Sequence, residues 1–354
     1  MNRESILIKK QTELNLARMM DIAVPDDSLL LLLYGSPDPD SIASAMALQE
    51  LLQRTCGLAK SVIASTEPLS RQQNYDFIFS MRINVQLVNN VDLSSYRLIA
   101  LVDAQPSFLN GLSGSLQPHI VFDHHPREGD WHAPVEDIRP HYGALSSVMT
   151  EYLLCAGLKV SRRLHTALLY GIKTDTDNFD RDTIAEDISA YTYHLKYANM
   201  PLIRRIELNS TPCRYLKYFD HAFHHINNFR GRRVCFLGNI ESADACVQVA
   251  DFYLHIIGTY YVVVAGIVKD KLIIVFRGDG YRQDCGALAH KAFGLYGNGG
   301  GHKSAARMEI PLEVLKQHLN NDLSQQTVDQ FLIKNLKSAQ RMKRERRSDE
   351  RPRV

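Results

Sequence analysis

The 354-residue sequence has neither a paired-cysteine motif nor an apolar run that approaches the ~18 residues of a membrane span. Its six cysteines are scattered, and none forms a C-x-x-C pair, which favours reduced core residues and a cytoplasmic protein. The N-terminal segment MNRESILIKKQTELNLARMM lacks the apolar centre of a signal peptide. The net charge of +2 gives no indication that the protein as a whole binds nucleic acid. We therefore expect a cytoplasmic protein without a membrane contact.

Positive charge is concentrated at the C-terminus. Residues 334–354 contain nine Lys/Arg and three Asp/Glu. We predict a basic tail over 331–354 that is disordered or a frayed helix. One interpretation is a solubilising tail, and the other is a weak anchor for RNA or another polyanion.

Apolar strands alternate with helical patterns in the first half of the chain. The predicted strands are 28–34, 60–66, 96–103 and 118–123, and the predicted helices are 4–20, 41–55, 143–158 and 161–175. This alternation predicts an α/β fold, a doubly wound and mainly parallel sheet with helices on both faces.

A smaller α/β unit is predicted in the second half. Its strands are 232–240, 260–270 and 271–278, with a tight hairpin between the last two and a helix over 284–294. The predicted domains are 1–190 (catalytic), 191–215 (connecting), 216–330 (substrate-binding) and 331–354 (tail). We expect the active site in the cleft between the two larger domains.

Acidic residues follow the predicted strands. Asp38 and Asp40 come after the first strand, Asp103 ends LIALVD, and Asp123 is followed by His124 and His125. The carboxyl ends of parallel strands meet at one edge of a sheet. Residues i and i+2 of extended backbone point the same way, so Asp38 and Asp40 can share a cavity. Such a donor set suits Mn²⁺ or Mg²⁺, although any one of these acids could be a helix N-cap alone.

A glycine run, YGNGGGHKSAA, is the second signal. Gly299, Gly300 and Gly301 would let backbone amides approach a phosphate, and His302 would bind or protonate a phosphate oxygen. Arg277 could make a bidentate phosphate contact. The plainer alternatives are a flexible turn before a helix and a surface arginine.

Four motifs in this order resemble those of the DHH phosphoesterases: SPDPDSIASA, LVDAQ, DHHP and GIKTDTDNF. The glycine run resembles that of the C-terminal domain associated with this family. The resemblance spans residues 29–310, and the overall size is similar to the branch of oligoribonucleases and 3′-phosphoadenosine 5′-phosphate phosphatases, often called nano-RNases.

The resemblance implies roles for the candidate residues. One Mn²⁺ ion, or Mg²⁺, would be held by Asp40, Asp103, His124 and Asp175, and another by Asp38, Asp103 and the residue four before Asp38. His125 would orient water or phosphate, and Asp123 would act from behind the ligands. Arg277 and the Gly299–His302 loop would hold a short RNA or nucleotide, hydrolysed by metal-activated water.

Two positions depart from the family pattern. Tyr34 stands where the family has a histidine ligand, and Val275 stands where relatives often have serine. Because a neutral phenol is a poor ligand for a hard dication, we expect an altered first metal site that binds weakly or in which another side chain or water replaces the imidazole; the alternative is a chain that has lost catalysis. Three functions stay open: a phosphoesterase of short nucleotides, a catalytically impaired nucleotide sensor, and a polyphosphate or pyrophosphate hydrolase.

Overall fold

The structure, a computed structural model, describes residues 9–109, 116–181, 183–208 and 211–349, with side chains to residue 340. The chain divides into two units, residues 1–210 and 211–354. Residues 4–8 of the predicted first helix and residues 350–354 of the predicted tail lie outside the described ranges.

The first unit contains a six-stranded sheet whose strands are all parallel. The strand order is β3-β2-β1-β4-β5-β6. The strands are β1 (Ser28–Leu33), β2 (Lys60–Ser65), β3 (Val85–Leu87), β4 (Leu98–Val102), β5 (Ile120–Asp123) and β6 (Val135–Ile138). The predicted fold class is confirmed, and β3 and β6, which are only three and four residues long, are the strands that the sequence pattern does not reveal.

The leucine run of β1 is buried on both faces of the sheet. Leu29, Leu31 and Leu33 face one core, whereas Leu30 and Leu32 face another. The first core contains side chains of the long helices. The helices of this unit are α1 (Lys10–Ile22), α2 (Pro39–Cys56), α3 (Gln72–Met81), α4 (Leu145–Cys155), α5 (Arg162–Asp175), α6 (Ala185–Leu195) and α7 (Met200–Leu208).

The second face differs from the prediction of helices on both faces. In the described part of the chain it is covered by loops and 3₁₀ turns, through residues such as Val88, Leu109 and Ala133. The connection from β3 to β4 spans only residues 88–97, which leaves room for two short 3₁₀ turns rather than a long helix.

The second unit is a six-stranded sheet of order β11-β12-β10-β9-β8-β7, antiparallel except for the pair β8 and β9. Helices cover both of its faces. The strands are β7 (Asn227–Phe229), β8 (Arg232–Asn239), β9 (Tyr261–Val268), β10 (Lys271–Gly278), β11 (Asn298–Gly301) and β12 (Ala305–Pro311). The helices are α8 (Leu216–His225), α9 (Ala243–Leu254), α10 (Cys285–Phe293), α11 (Leu312–His318) and α12 (Gln325–Asp349).

Helix α12 corrects the predicted limit of the tail. Phe331, Leu332, Leu336 and Ala339 are buried in the core of the second unit. Apolar residues at this spacing form one face of a helix, and their burial keeps the chain folded at least to residue 339. Of the two alternatives predicted for the tail, disorder is therefore wrong for residues 331–339, and the chain is helical to Asp349.

None of the helices in the described ranges has the length and apolar content that a membrane crossing requires.

Candidate metal centre

The candidate acids lie at the carboxyl edge of the first sheet, around the point where the strand order reverses. Strands β1 and β4 are neighbours, and β5 follows β4 in the sheet. Asp103 comes directly after β4, and His124 comes directly after β5. A crevice at such a reversal is where open α/β sheets bind their ligands.

Asp40 is fully buried in the first turn of α2. Its carboxylate accepts hydrogen bonds from the backbone amides of Leu145 (2.7 Å) and Ser146 (2.9 Å), at the amino end of α4. Burial and the neighbouring Asp175 raise the pKa of Asp40 to about 7. The carboxylate is thus fixed by a helix end, and its negative charge still lacks a full counter-charge.

Asp38 both caps a helix and faces the carboxylate cluster. Its Oδ1 accepts a hydrogen bond from the Ser41 amide (2.9 Å), so the helix-cap alternative is correct for this residue. Burial and the charge of Asp175 nevertheless raise the pKa of Asp38. The geometry differs from the predicted extended pair, because α2 begins at Pro39 and Asp40 is already helical.

Asp103 adopts a left-handed backbone conformation, with φ of 57°. Its Oδ1 is buried and has no hydrogen-bond donor among the described residues, although Nε2 of His124 lies 3.4 Å away. Burial and the charge of Asp38 hold the pKa of Asp103 well above its usual range. A buried carboxylate on a strained backbone, with an oxygen that lacks a hydrogen bond, does not stabilise the fold. Such residues occur at functional sites.

His124 links the cluster to the rest of the domain. Its Nδ1 lies 3.0 Å from the carbonyl oxygen of Tyr142, so Nδ1–H donates and Nε2 faces the acids. Nε2 lies 3.0 Å from Oδ2 of Asp175, the last residue of α5. Burial alone would lower the pKa of His124, but the hydrogen bond and charge of Asp175, with the charge of Asp103, raise it to about 11.

Asp123 lies behind His125 and is fully buried. Its Oδ1 accepts hydrogen bonds from Nδ1 of His125 (2.8 Å) and from the amides of His124 (2.8 Å) and His125 (3.1 Å). Burial would raise the pKa of Asp123, but the hydrogen bonds from His125 and Gln105 outweigh it and lower the pKa. His125 is about half exposed, so its Nε2 is directed away from this carboxylate and is accessible.

The donor set fits a divalent cation. Ligand atoms of Asp40, His124 and Asp175 lie within 4.8 Å of one another, as do those of Asp103, His124 and His125. Oδ1 of Asp103 and Oδ2 of Asp175 are buried, and the single Nε2 of His124, 3.4 and 3.0 Å away from them, cannot satisfy both. Carboxylates with an imidazole are ligands that Mn²⁺ and Mg²⁺ accept. Asp38 belongs to neither group, whereas His125, predicted only as a catalytic residue, belongs to the second.

Tyr34 lies beside Phe108. The two ring centroids are 5.7 Å apart, and 51% of Tyr34 is exposed. Phe108 in turn contacts the ring of His125, at 6.3 Å between centroids. Tyr34 thus lies near the site through an aromatic contact.

Arg277 and the three glycines of the second unit lie in strands of its sheet, and His302 lies in the turn that follows β11. The glycine run is the exposed strand β11 at the sheet edge rather than the predicted loop or turn. A Cβ on Gly299 would lie 2.1 Å from the carbonyl oxygen of Arg307, so the close pairing with β12 requires glycine there. Nε of Arg277 is 2.8 Å from Oδ1 of Asp251, and His302 is exposed.

Sequence reasoning missed the residues that support the cluster. Gln105 is fully buried, and its Nε2 donates to Oδ2 of Asp123 (2.7 Å). Gly171 leaves the space that Asp40 occupies, because a Cβ there would lie 2.5 Å from Oγ of Ser146 and 3.0 Å from Oδ1 of Asp40. Gln105 lies in the motif LVDAQ and Gly171 in the motif GIKTDTDNF, but only the fold shows what these two residues contact.

Residues 30–172 match the profile of the DHH family, N-terminal domain. The matched range lies within the first unit and includes the strands that carry Asp103, His124 and His125. This confirms the resemblance that the four motifs carry.

The chain is 34% identical over 306 residues to an uncharacterized protein of Methanocaldococcus jannaschii, covering 86% of this chain and 62% of that relative. The chain thus spans less than two thirds of that protein. Among solved structures, an exopolyphosphatase-related protein from Bacteroides fragilis matches with a TM-score of 0.69 at 16% identity, covering 94% of this chain and 99% of that one. RecJ from Thermus thermophilus, solved with Mn²⁺, matches with a TM-score of 0.54 at 12% identity, covering 95% of this chain and 55% of that one. These two likenesses concern the fold.

Proposed function

We propose that this protein is a metal-dependent phosphoesterase that hydrolyses short nucleotides, with Asp40, Asp103, His124 and Asp175 as ligands of Mn²⁺. The observation that carries the proposal is the pair of buried carboxylate oxygens on either side of His124, Oδ1 of Asp103 and Oδ2 of Asp175: Nε2 of His124 lies 3.4 and 3.0 Å from them, and its single N–H cannot satisfy both. Four acids around one imidazole repel one another unless a cation balances them. That RecJ of Thermus thermophilus was solved with Mn²⁺ supports the choice of ion.

Each residue has a defined task in this reaction. A bound divalent cation supplies charge neutralisation for the phosphate and lowers the pKa of water. Asp40 and Asp103 hold negative charge at fixed positions, one through the amino end of α4 and the other through its left-handed backbone. His125 has an exposed ring that Asp123 orients, so its Nε2 can hold a water or a phosphate oxygen.

The second unit, taken by itself, contains the candidate phosphate-binding residues. We assign phosphate binding to Arg277, to the backbone of Gly299–Gly301 and to His302. Gly300 has no atom within 4 Å of where a Cβ would lie, so a phosphate can approach its backbone. Arg277 would keep its ion pair with Asp251 through Nε and would use its remaining N–H groups.

Hydrolysis of inorganic polyphosphate is the second candidate. The observation in its favour is the fold likeness to a protein described as exopolyphosphatase-related. Against it, the cations close to the glycine run in sequence are few, namely Arg277, Arg282, Lys291, Lys303 and Arg307, and Arg307 is paired with Glu309. A chain of phosphates needs a denser cationic surface than a single nucleotide.

A substrate panel tests the proposal. Di-, tri- and tetraribonucleotides, linear dinucleotides, 3′-phosphoadenosine 5′-phosphate, pyrophosphate and polyphosphate are each incubated with Mn²⁺, with Mg²⁺ and without metal. We expect Mn²⁺-dependent hydrolysis of at least one nucleotide and little turnover of polyphosphate. Preferred turnover of polyphosphate would favour the second candidate. Nucleotide binding without turnover in saturating Mn²⁺ would identify a sensor.

A matched pair of variants tests whether the candidate metal site carries out the hydrolysis. Asp175→Asn removes one carboxylate from the cluster, whereas Asp177→Asn changes an exposed aspartate of the same motif. Asn tolerates the left-handed backbone at position 177 (φ of 50°). The first variant should lose Mn²⁺-dependent hydrolysis and the second should retain it. Equal activity of both variants would place the chemistry elsewhere.

A further inference from the structure

The peptide group between Tyr142 and Gly143 is hydrogen-bonded at both ends. Its carbonyl oxygen accepts from Nδ1 of His124 (3.0 Å), and its N–H donates to Oδ2 of Asp187 (2.9 Å). A continuous chain of hydrogen bonds therefore runs from His124 through one peptide to Asp187. Such chains polarise their members, so that each bond strengthens the next.

Asp187 is fully buried, in the first turn of α6. Its Oδ2 also accepts from the amide of Ile184 (3.0 Å), whereas Oδ1 has no hydrogen-bond donor among the described residues. No lysine or arginine of the described ranges forms an ion pair with it. The amino end of α6 and two amide donors are thus the groups that stabilise its charge.

The peptide is also fixed from the side of Tyr142. The Tyr142 ring is buried, and its hydroxyl lies between Nη1 of Arg139 (3.3 Å) and Oε2 of Glu151 (3.2 Å). Arg139 is itself held by Asp137 in a bidentate pair. Movement of the carbonyl away from His124 would disturb this buried network, so the acceptor has one orientation.

We propose that Asp187 is a positioning residue that acts on His124 through the Tyr142–Gly143 peptide, fixing the imidazole tautomer and increasing the basicity of Nε2 toward a divalent cation. The inference rests on the proposed function in that His124 is a metal ligand. Histidine ligands usually donate their second N–H to a carboxylate or a carbonyl, and loss of such a partner costs 10–100-fold in metal affinity. Here the Asp187 carboxylate acts indirectly, because the Tyr142–Gly143 peptide lies between it and the His124 imidazole.

The test compares Mn²⁺ affinity, measured by electron paramagnetic resonance of free Mn²⁺, for the wild type, Asp187→Asn and Ala190→Gly. Asp187→Asn removes the charge and keeps the shape. Ala190→Gly is the control: it weakens the same helix by about 1 kcal/mol and leaves the Asp187 carboxylate in place. We expect about tenfold weaker binding for Asp187→Asn and unchanged binding for Ala190→Gly. Equal losses in the two variants would make Asp187 a structural cap and overturn the proposal.

A second measurement uses the wild type alone, so that it holds even if Asp187→Asn fails to fold. Addition of diamagnetic Mg²⁺ should shift the Gly143 amide proton in the NMR spectrum, because replacement of the proton on Nε2 of His124 by the ion changes how strongly Nδ1–H donates to the Tyr142–Gly143 peptide. A Gly143 resonance that does not move while Mg²⁺ binds would contradict the proposed coupling between His124 and Asp187. It would not contradict the assignment of the metal site. If the wild type binds neither Mn²⁺ nor Mg²⁺, the proposed function fails as well.

Discussion

Nε2 of His124 lies 3.0 Å from Oδ2 of Asp175, although one residue follows strand β5 and the other ends helix α5. The contact places an imidazole in the middle of a group of acids, and it raises the pKa of His124 to about 11. In the metal-free protein, a proton on this ring is the main counter-charge of the cluster. A divalent cation must therefore displace protons when it binds.

Mn²⁺ affinity should rise between pH 6 and pH 8. The carboxyl of Asp40, with a pKa of about 7, and the imidazolium of His124 bind protons in this range, and both must lose them to become ligands. Each proton released on binding gives about a tenfold gain in affinity per pH unit, so the gain is between about tenfold and a hundredfold per unit below pH 7 and about tenfold above it. Titrations at pH 6.0, 7.0 and 8.0 measure it, and an affinity independent of pH would contradict the assigned ligands.

Gly171→Ala should destabilise the protein and weaken metal binding. In a helix interior this change normally stabilises by about 1 kcal/mol. Here the new Cβ would lie 2.5 Å from Oγ of Ser146 and 3.0 Å from Oδ1 of Asp40, so we expect a loss of about 1–3 kcal/mol. Urea unfolding and Mn²⁺ titration measure the two effects.

The double variant Gly171→Ala, Ser146→Ala is the control for that clash. It removes the nearest atom, Oγ of Ser146, and should recover part of the lost stability. A Gly171→Ala protein as stable as the wild type would show that Asp40 and Ser146 can move away without cost.

Tyr34→His should tighten Mn²⁺ binding at a first metal site. Tyr34 lies beside Phe108, and Phe108 contacts His125, so an imidazole at this position is close to the cluster. Tyr34→Phe keeps the ring without a ligand atom and should bind like the wild type. Identical titration curves for the wild type and both variants would place position 34 outside the metal site.

Acidification should destabilise the first unit through a buried histidine pair. Nδ1 of His165 and Nδ1 of His194 are 2.8 Å apart, and burial lowers the pKa of both rings. The folded state keeps them neutral, while the unfolded chain binds protons below about pH 6.5. The stabilisation is thus complete above pH 6.5 and falls below it by at most about 1.4 kcal/mol per pH unit for each histidine, until the pH reaches the lowered pKa of that histidine in the folded state.

His194→Gln separates this effect from other titrations. Urea unfolding at pH 7.5 and pH 5.5 should show a smaller drop in the free energy of unfolding for the variant than for the wild type. An equal drop in the two proteins would assign the acid sensitivity to other groups.

The sequence was sufficient to predict the strands that carry the site and the acids that follow them. Apolar runs that are followed by Asp identify β1, β4 and β5. Strands that are buried on both faces consist of apolar residues, so a carboxylate at the end of such a strand indicates a functional position. That Asp103 and His124 meet followed from the rule for parallel sheets, whereas Asp175, which ends a helix, was placed with them by the resemblance of its motif.

Contacts between distant elements could not be predicted. Asp187 has the pattern of an ordinary first-turn acid of a helix, and only packing of α6 brings it to the Gly143 amide. The glycine run was predicted as a loop, because composition does not reveal that β12 offers it a pairing edge. Short strands such as β3 give no periodic signal over three residues.

The most direct test of the account is the rate of Mn²⁺-dependent dinucleotide hydrolysis by Asp103→Asn relative to the wild type. Asn is tolerated at a φ of 57° and preserves the shape of the side chain, so the variant should fold. We predict that the rate falls by more than about a hundredfold, a larger loss than removal of an outer partner causes, while the circular dichroism spectrum and Tm of the metal-free protein stay close to those of the wild type. A variant that folds and keeps most of the rate would contradict the assignment of these acids as the metal site.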